Sequence, residues 1–267
     1  MHDYLIAVLL GIVEGLTEFL PISSTGHLIL AEKLLGVTGP VWQPFEVMIQ
    51  LGPILAVVML YWNKLWSTFT GLISEPRSRH FALLLLLALL PAVVLGYLFS
   101  GLIKSYLFTP LVVGITMIVG GLIILWVENT HRQEIHHEAD ELPYLTGGLI
   151  GLAQAVAMIP GTSRSAATIV GARLLGLSRR AATEFSFFLA IPTMMAAFAH
   201  EAIKYRHELN MDTLGLIGVG FLAAFLSAYL VIKPFLAFVS TRGFETFAQY
   251  RIVIGTLVVV LSLLAVL

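Results

Sequence analysis

The sequence predicts an all-α polytopic membrane protein, built from two copies of one motif in an inverted-topology repeat. Three observations lead to this prediction. Hydrophobic residues make up 58% of the chain, whereas charged residues make up only 12%. Apolar segments of membrane-spanning length, about 17–25 residues, recur from one end to the other. Two apolar blocks are interrupted by short polar motifs, and these two motifs align with each other.

Six segments are long and apolar enough to be transmembrane helices. We expect them near residues 45–62, 81–99, 110–127, 184–200, 213–232 and 250–267. The mean hydropathy of +0.92 is that of an integral membrane protein. We therefore expect a single membrane domain covering residues 1–267. The absence of cysteine excludes disulfides, thiol nucleophiles and cysteine-ligated metals.

Two further apolar blocks consist of half-length segments joined by turn residues. They are residues 4–20 with 28–36, separated at Pro21, and residues 145–159 with 166–176, separated at Pro160 and Gly161. Such a pair predicts a re-entrant helical hairpin, which enters and leaves the membrane on one side. Irregular backbone at this depth is tolerated only where protein or a watery cavity covers it.

The sequences of the two interrupted blocks align with each other when one is shifted by 140 residues. This shift aligns Gly11 with Gly151, Glu14 with Gln154, Ser23 with Ser163, and Thr25 with Ser165. We expect repeat one at 1–127, a solvated connector at 128–142, and repeat two at 143–267. Each repeat then holds one re-entrant hairpin plus three transmembrane helices. That is an odd number of crossings, so the repeats lie inverted, as in folds whose sites form at the repeat interface.

The distribution of lysine and arginine predicts the orientation, because cytoplasmic loops are rich in both. One face carries Lys64, Arg77, Arg79, Arg132, Arg179, Arg180, Lys233 and Arg242, and the other carries Lys104, Lys204 and Arg206. The first face is expected to be cytoplasmic. Both chain termini and the mouth of the first hairpin then face outward.

Three charged residues lie in the polar motifs, where a membrane protein holds charge at a cost. Insertion scales assign roughly 2.5–3.5 kcal/mol to each such residue at a helix centre. Glu14, Glu18 and Arg164 would together cost about 8–10 kcal/mol if unpaired. They must therefore be paired, solvated or bound to a ligand.

Small hydroxyl residues open the second half-helix of each hairpin. These are Ser23, Ser24 and Thr25 in the first copy, and Ser163 and Ser165 in the second. They are typical helix N-caps, and helix N-termini bind phosphates through free N–H groups. Arg164 lies between two of these serines and suits bidentate phosphate binding. The pattern predicts a cradle for an anion with several oxygens.

Glu14 and Glu18, four residues apart, share one helical face. Two carboxylates beside a phosphate would repel it unless a proton or a cation neutralises them. Oxygen-only ligands favour Mg²⁺ or Ca²⁺ held by Glu14 and Glu18. His27 lies three residues after Ser24 and has three possible roles. It could take the proton of Ser24, protonate a leaving group, or attack phosphorus itself.

The two copies differ where the chemistry is concentrated. At the positions of Glu18, Ser24 and His27, the second copy has Met158, Arg164 and Ala167. Identical halves would suit a symmetric transport path, whereas divided roles suit one reactive centre. The difference favours an enzyme. A secondary transporter or lipid flippase is the alternative, because broken helices in inverted repeats are also transporter architecture.

The two motifs resemble the signatures of the undecaprenyl-diphosphate phosphatase family, also called bacitracin-resistance proteins. Those signatures are (E/Q)xxxE followed by P-x-S-S-T-G-H, and P-G-x-S-R-S-x-x-T. Here they run from Glu14 to His27 and from Pro160 to Thr168. The resemblance implies hydrolysis of the C55 polyprenyl diphosphate to the monophosphate carrier lipid of cell-wall synthesis, with a divalent cation. It also implies the bacterial inner membrane, a site opening to the outer face, and an effect on bacitracin sensitivity.

With the family in view, we assign Ser24 as the nucleophile and His27 as the nearby base or acid. Glu14 and Glu18 then hold the metal or orient the site, and Arg164 clamps the phosphate. Direct attack by His27 is the close rival. The residues expected to bind substrate are Ser23, Thr25, Ser163, Ser165, Thr168, Gly161 and Gln50. The expected partners are the polyprenyl diphosphate and membrane lipids, without nucleic acid, and a homodimer is compatible with the sequence.

Overall fold

The computed structural model describes residues 2–39, 41–130, 133–205 and 211–267. Within these residues the chain forms twelve α-helices and no β-strand beyond an isolated bridge. The helices are α1 His2–Thr17, α2 Ser24–Leu35, α3 Trp42–Ile49, α4 Leu51–Leu60, α5 Trp62–Thr70, α6 Pro76–Leu107, α7 Pro110–Asn129, α8 Tyr144–Val156, α9 Arg164–Leu174, α10 Arg179–Lys204, α11 Met211–Arg242 and α12 Glu245–Leu263. The all-α prediction is confirmed.

Five of the described helices are long and apolar enough to cross a membrane. They are α6, α7, α10, α11 and α12. The first four contain the segments predicted from the sequence, and α12 contains most of the last one but ends at Leu263. Prolines lie inside α6, α10 and α11 without ending them. Neighbouring helices can satisfy the backbone groups that a proline frees in a membrane helix. The prediction of a multi-pass helical membrane protein is therefore confirmed.

The sixth predicted segment, 45–62, differs from the expectation of one straight helix. It is divided at Gln50 and again at Tyr61, where the axis bends by 79°. Pro53 explains the first break, because it has no N–H to donate to the carbonyl of Ile49, and its ring crowds that carbonyl. Counting the bent pair as one broken span gives six candidate spans among the described residues.

Helix α5, beyond the bend, carries exposed aromatic residues on a polar helix. Trp62 and Trp66 stack with ring centroids 5.5 Å apart, and Phe69 extends the row. All three side chains are exposed. Tryptophan is enriched at membrane–water interfaces, where its ring has an apolar body and a polar edge. The composition of α5 is thus typical of an interfacial helix.

Both interrupted blocks are broken where the sequence predicts. The chain leaves the helical path at residues 18–23 between α1 and α2, and at 157–163 between α8 and α9. Each second half-helix begins at a serine cap in the left-handed region, Ser23 at φ 71° and Ser163 at φ 70°. Such backbone costs about 1–3 kcal/mol per residue and clusters at functional sites.

The helices of the two halves exchange partners. Helix α1 packs against α11, helix α8 packs against α6, and α7 packs against α12. The first half of α10 lies at the centre, where every residue from 181 to 190 is buried. Phe187 and Phe188 pack edge-to-face against Phe19 and Phe81, at 5.0 and 5.3 Å. This core brings the two broken turns together.

The described part of the connector is packed against the helices, which corrects the expectation of a fully solvated loop. Ala139, Asp140 and Leu142 are buried. Asp140 accepts hydrogen bonds from Lys64 and Arg77, each at 2.9 Å. A buried carboxylate with two cationic donors holds the segment in place. Arg132 and Arg206, used in the orientation argument, lie outside the described residues.

Candidate active site

The two broken turns meet through direct side-chain contacts. Arg164 donates through Nη2 to Oε1 of Glu18 at 3.2 Å, across 146 residues of sequence. Their side chains are only 10% and 5% exposed. Ser165 adds a hydrogen bond from its hydroxyl to the carbonyl of Leu20 at 2.8 Å. The structure thus brings the two predicted motifs into one buried polar cluster.

Ser24 belongs to this cluster through Glu18. The Ser24 hydroxyl donates to Oε2 of Glu18 at 2.7 Å, while Oε1 of the same carboxylate accepts from Arg164. The contact that could remove the Ser24 proton is therefore with Glu18, and His27 bonds elsewhere. A carboxylate within hydrogen-bond reach of a hydroxyl is the geometry of an activated nucleophile.

One of the three guanidinium nitrogens of Arg164 has no protein partner among the described residues. Its Nη1 donates to the backbone carbonyl of Ser186 at 3.0 Å, and its guanidinium carbon lies 5.5 Å from the centroid of the Phe19 ring. The Nε–H is buried and has no protein partner among the described residues. A buried donor without a partner costs about 1–3 kcal/mol. An anionic oxygen placed there would satisfy it.

Two helix N-termini begin at the same cluster. The Ser23 hydroxyl accepts from the N–H of Gly26 at 3.4 Å, and the Ser163 hydroxyl accepts from the N–H of Ala166 at 3.2 Å. The predicted N-caps are confirmed at Ser23 and Ser163, whereas Ser24, Thr25 and Ser165 lie within the first turns of the helices. The remaining N–H groups of each first turn are unpaired within the helix and carry the positive end of its dipole. Their position favours a bound anion.

His27 bonds to the protein through both ring nitrogens. Nδ1 lies 2.8 Å from the carbonyl oxygen of Ser23, and Nε2 lies 2.9 Å from the hydroxyl of Tyr250. The carbonyl can only accept, so Nδ1 carries a proton. Nε2 is the atom with a lone pair when the ring is neutral. Any transfer of a proton to His27 therefore goes through Nε2.

Glu14 is the candidate ligand for a cation. Its side chain is fully buried, and neither carboxylate oxygen has a donor among the described residues. It interacts electrostatically with Glu18, Glu46 and Arg164. An isolated buried carboxylate is strongly unfavourable, so a proton or a cation must neutralise it.

The cation would have to share its ligands with the substrate. The described residues contain no group of three or more His, Asp or Glu arranged to hold a metal. Glu14 offers free oxygens, whereas both oxygens of Glu18 already accept hydrogen bonds. Mg²⁺ commonly takes one or two carboxylates together with substrate phosphates and water. The donor set fits a cation that binds with a phosphate, and not one held by protein alone.

Several residues predicted to bind substrate instead form hydrogen bonds to protein groups around the cluster. Ser165 and Thr168 are fully buried, and the Thr168 hydroxyl donates to Ser186 Oγ at 2.7 Å. Thr25 is half-buried in the first turn of α2. Gln50 lies at the break between α3 and α4, and no described hydrogen bond joins its side chain to the cluster. The structure therefore groups these residues less tightly than Ser24, Glu18 and Arg164.

Arg251, in α12, is a site residue that the motifs did not indicate. It is fully buried and donates only to backbone carbonyls. The acceptors include Pro21 at 3.2 Å in the first turn and Gly161 and Thr162 at 3.0 Å in the second. One guanidinium thus holds both turns. The sequence feature that could have indicated it is an arginine inside an apolar segment. A charged side chain is energetically unfavourable in a membrane, so one that is present there has a functional or structural role.

Gly161 shows how closely the second turn is packed. Its φ of +87° lies in the left-handed region, and a Cβ there would collide with Thr116 and the backbone of Val113. Only glycine satisfies both conditions at low cost. The carbonyl of Gly161 accepts a hydrogen bond from Arg251. Its contact with substrate stays a prediction.

Comparison with known proteins identifies the family of the chain. The family model described as bacitracin resistance protein BacA matches residues 7–257. A protein named undecaprenyl-diphosphatase from Rhodopseudomonas palustris (strain BisA53) is 51% identical over 258 residues, 96% of each chain. Proteins of the same name from Bradyrhizobium diazoefficiens and Nitrobacter hamburgensis are 51% and 49% identical, over 96% of this chain and 97% and 96% of theirs. The chain therefore belongs to the bacitracin resistance protein BacA family.

Proposed function

We propose that the chain is an integral membrane phosphatase that hydrolyses undecaprenyl diphosphate to undecaprenyl phosphate and inorganic phosphate. The observation that carries the proposal is the hydrogen-bonded row from Ser24 through Glu18 to Arg164. It combines a nucleophile, its proton acceptor and a phosphate clamp within one buried cluster. The name that relatives of about 50% identity carry supports the same substrate. The product is the carrier lipid of cell-wall synthesis, and its recycling would lower sensitivity to bacitracin.

The chemistry proceeds in two displacements. Ser24 Oγ attacks the terminal phosphorus and gives its proton to Glu18, while the bond from that phosphorus to the bridging oxygen breaks and undecaprenyl phosphate leaves. Water then attacks the phosphoserine, and its proton reaches Nε2 of His27 through the Tyr250 hydroxyl that is hydrogen-bonded to this atom. The bond from phosphorus to Ser24 Oγ breaks, Ser24 recovers the proton from Glu18, and inorganic phosphate and the proton held by His27 leave to solvent. Arg164 Nε and the two helix N-termini stabilise the charge on the phosphoryl oxygens.

A divalent cation, Mg²⁺ or Ca²⁺, would bind at Glu14 beside Glu18 and lower the charge that the transferring phosphoryl group must carry. Ser165 and Thr168 would maintain the shape of the second turn, because their hydroxyls bond to protein groups. Ser23 and Ser163 would present the helix N-termini to the phosphate. The half-buried Thr25 remains a proposed substrate contact.

Ser24 is favoured over His27 as nucleophile by hydrogen bonding. Both nitrogens of His27 are engaged, so direct attack by Nε2 would first require Tyr250 to move away. Trapping of a phosphoenzyme from radiolabelled polyprenyl diphosphate tests this choice. We expect acid-stable phosphate on Ser24, none in Ser24→Ala, and wild-type trapping in the exposed control Ser240→Ala. Acid-labile phosphate on His27 would overturn the assignment.

The same purified protein distinguishes the phosphatase hypothesis from the transporter hypothesis. Purified protein with added divalent cation should release inorganic phosphate, and Ser24→Ala and Arg164→Ala should nearly abolish that release. A wild-type protein that moves polyprenyl lipid across vesicles without releasing phosphate would establish the transport alternative.

We further propose inverted repeats and an inner-membrane orientation with residue 70 in the cytoplasm and the site open to the outer face. The exchange of partners, α1 on α11 and α8 on α6, supports the inverted arrangement. The chain has no cysteine, so single-cysteine variants report topology directly. A membrane-impermeant maleimide should label Ser105→Cys in intact cells, but Thr70→Cys only after permeabilisation. The reverse pattern would refute the orientation.

A further inference from the structure

The imidazole of His27 is held by a tyrosine from the last helix. The hydroxyl of Tyr250 lies 2.9 Å from Nε2, and the two rings are nearly parallel, at 9°, with centroids 5.5 Å apart. On the other side of the ring, Nδ1 bonds to the carbonyl of Ser23 at 2.8 Å. These contacts fix both the position of the ring and the direction of the Nε2 lone pair, which accepts from the Tyr250 hydroxyl when the ring is neutral.

The tyrosine hydroxyl can serve both protonation states of this ring. It donates to Nε2 when His27 is neutral, and it accepts from Nε2–H when the ring is an imidazolium. The carbonyl of Ser23 accepts from Nδ1 in both states. His27 can therefore gain and lose a proton at Nε2 through the Tyr250 hydroxyl without losing either partner.

The neighbour of Tyr250 fixes it relative to both broken turns. Arg251, the next residue in α12, donates to the carbonyls of Pro21 and Gly161. The backbone that carries Tyr250 is thus tied to the turn from which α2, with Ser24 and His27, begins. Tyr250 itself is 43% exposed, so its loss need not disturb the core.

We propose that Tyr250 is a positioning residue, whose ring and hydroxyl hold His27 in the orientation and tautomer that exchange a proton at Nε2. The proposal rests on the proposed phosphatase reaction for its kinetic part. It gives α12 two consecutive residues with separate tasks, one that holds the turns and one that holds the histidine. Neither residue lies in the two signature motifs.

The test uses Tyr250→Phe, which keeps the ring and removes the hydroxyl. The control is Tyr144→Phe, because Tyr144 also contacts a histidine ring, His80 at 4.4 Å, outside the cluster. Orientation of a general base contributes a part of the 10²–10⁴-fold effect of such a base. We expect Tyr250→Phe to lower kcat about tenfold with KM unchanged, and Tyr144→Phe to match the wild type.

A double variant separates positioning from a structural role. If Tyr250 acts through His27, then His27→Gln with Tyr250→Phe should be no slower than His27→Gln alone. Multiplied effects in the double variant would overturn the proposal, as would a wild-type kcat in Tyr250→Phe.

A chemical modification experiment tests the hydrogen bond between Tyr250 and His27 without relying on enzyme activity. Diethyl pyrocarbonate acylates unprotonated imidazole nitrogens, and mass spectrometry locates the modified residue. The Tyr250 hydrogen bond occupies the Nε2 lone pair, so we expect His27 to react several times faster in Tyr250→Phe. Equal rates would refute the contact. If the wild type released no phosphate, the proposed function would fail, and the modification rates alone would decide whether Tyr250 holds His27.

Discussion

Arg251 donates through Nη2 to the carbonyl oxygen of Gly161 at 3.0 Å, so the last helix holds the second broken turn through its backbone. The same guanidinium reaches the first turn at Pro21 and helix α7 at Met117. Arginine can do this because its five donors lie in one rigid plane. Three carbonyls of the broken turns, those of Pro21, Gly161 and Thr162, thereby accept hydrogen bonds from one side chain.

We expect Arg251→Lys to destabilise the protein by about 2–4 kcal/mol, because a lysine cannot reach both turns and leaves buried carbonyls unpaired. Thermal unfolding of the purified protein in detergent measures the loss. Phosphate release should fall at least about 100-fold as the two turns separate. Arg242→Lys, at the exposed end of α11, is the matched control. A variant at position 251 with wild-type melting temperature and rate would show that the turns are held in another way.

The sequence was sufficient to place the two breaks. Pro21 and the Pro160-Gly161 pair end their helices by known backbone chemistry, and Ser23 and Ser163 cap the next ones as predicted. The hydrogen-bond partners within the cluster could not be predicted from the sequence in the same way. Whether Ser24 bonds to Glu18 or to His27 depends on side-chain directions at the turn, which spacing along a helix does not determine.

The sequence also could not predict the contacts that depend on how the helices pack together. Tyr250 and Arg251 lie near the start of an apolar segment, and local sequence does not show that α12 runs beside both turns. The break at Gln50 could have been inferred from Pro53, whereas the 79° bend at Tyr61 depends on the helices around it. Local rules thus predict where helices end, but not which side chains meet there.

The strained caps should respond differently to glycine and to alanine. Ser23 and Ser163 have φ near 70°, where glycine is favoured and alanine is not. Alanine also loses the cap, at about 1 kcal/mol, whereas glycine loses only a few tenths. We expect Ser23→Ala to be less stable than Ser23→Gly by about 1–2 kcal/mol, and the same order at position 163. Chemical unfolding of the four variants tests this order, and a more stable alanine variant at either position would contradict it.

Removal of the proton acceptor should affect the rate more than the fold. Glu18→Gln keeps the size of the side chain but cannot accept the Ser24 proton, so we expect kcat to fall about 10²–10⁴-fold. The exposed Glu245→Gln serves as the control. Initial rates of phosphate release, with circular dichroism to confirm helicity, measure the effect. A folded Glu18→Gln variant with more than a tenth of the wild-type kcat would exclude Glu18 as the base.

Asp140 should make the stability of the contacts between the connector and the helices pH-dependent. Burial alone raises the pKa of its carboxyl, but the hydrogen bonds and charges of Lys64 and Arg77 outweigh burial and leave the pKa below its ordinary value. The unfolded chain therefore takes up a proton first as the pH falls. The stabilisation is present above the unfolded pKa of about 4 and disappears as the pH falls through the lower folded value.

Asp140→Asn should accordingly melt below the wild type at pH 7, and the two melting temperatures should converge as the pH falls below about 4. Melting of the purified protein between pH 3 and pH 7 follows this convergence, with exposed Asp3→Asn as the control that matches the wild type throughout. Because Lys64 lies on α5 and Arg77 at the start of α6, the same variant should also loosen the turn that joins these two helices. A constant gap at all pH values would mean that Asp140 stabilises the connector by packing, and not by its charge.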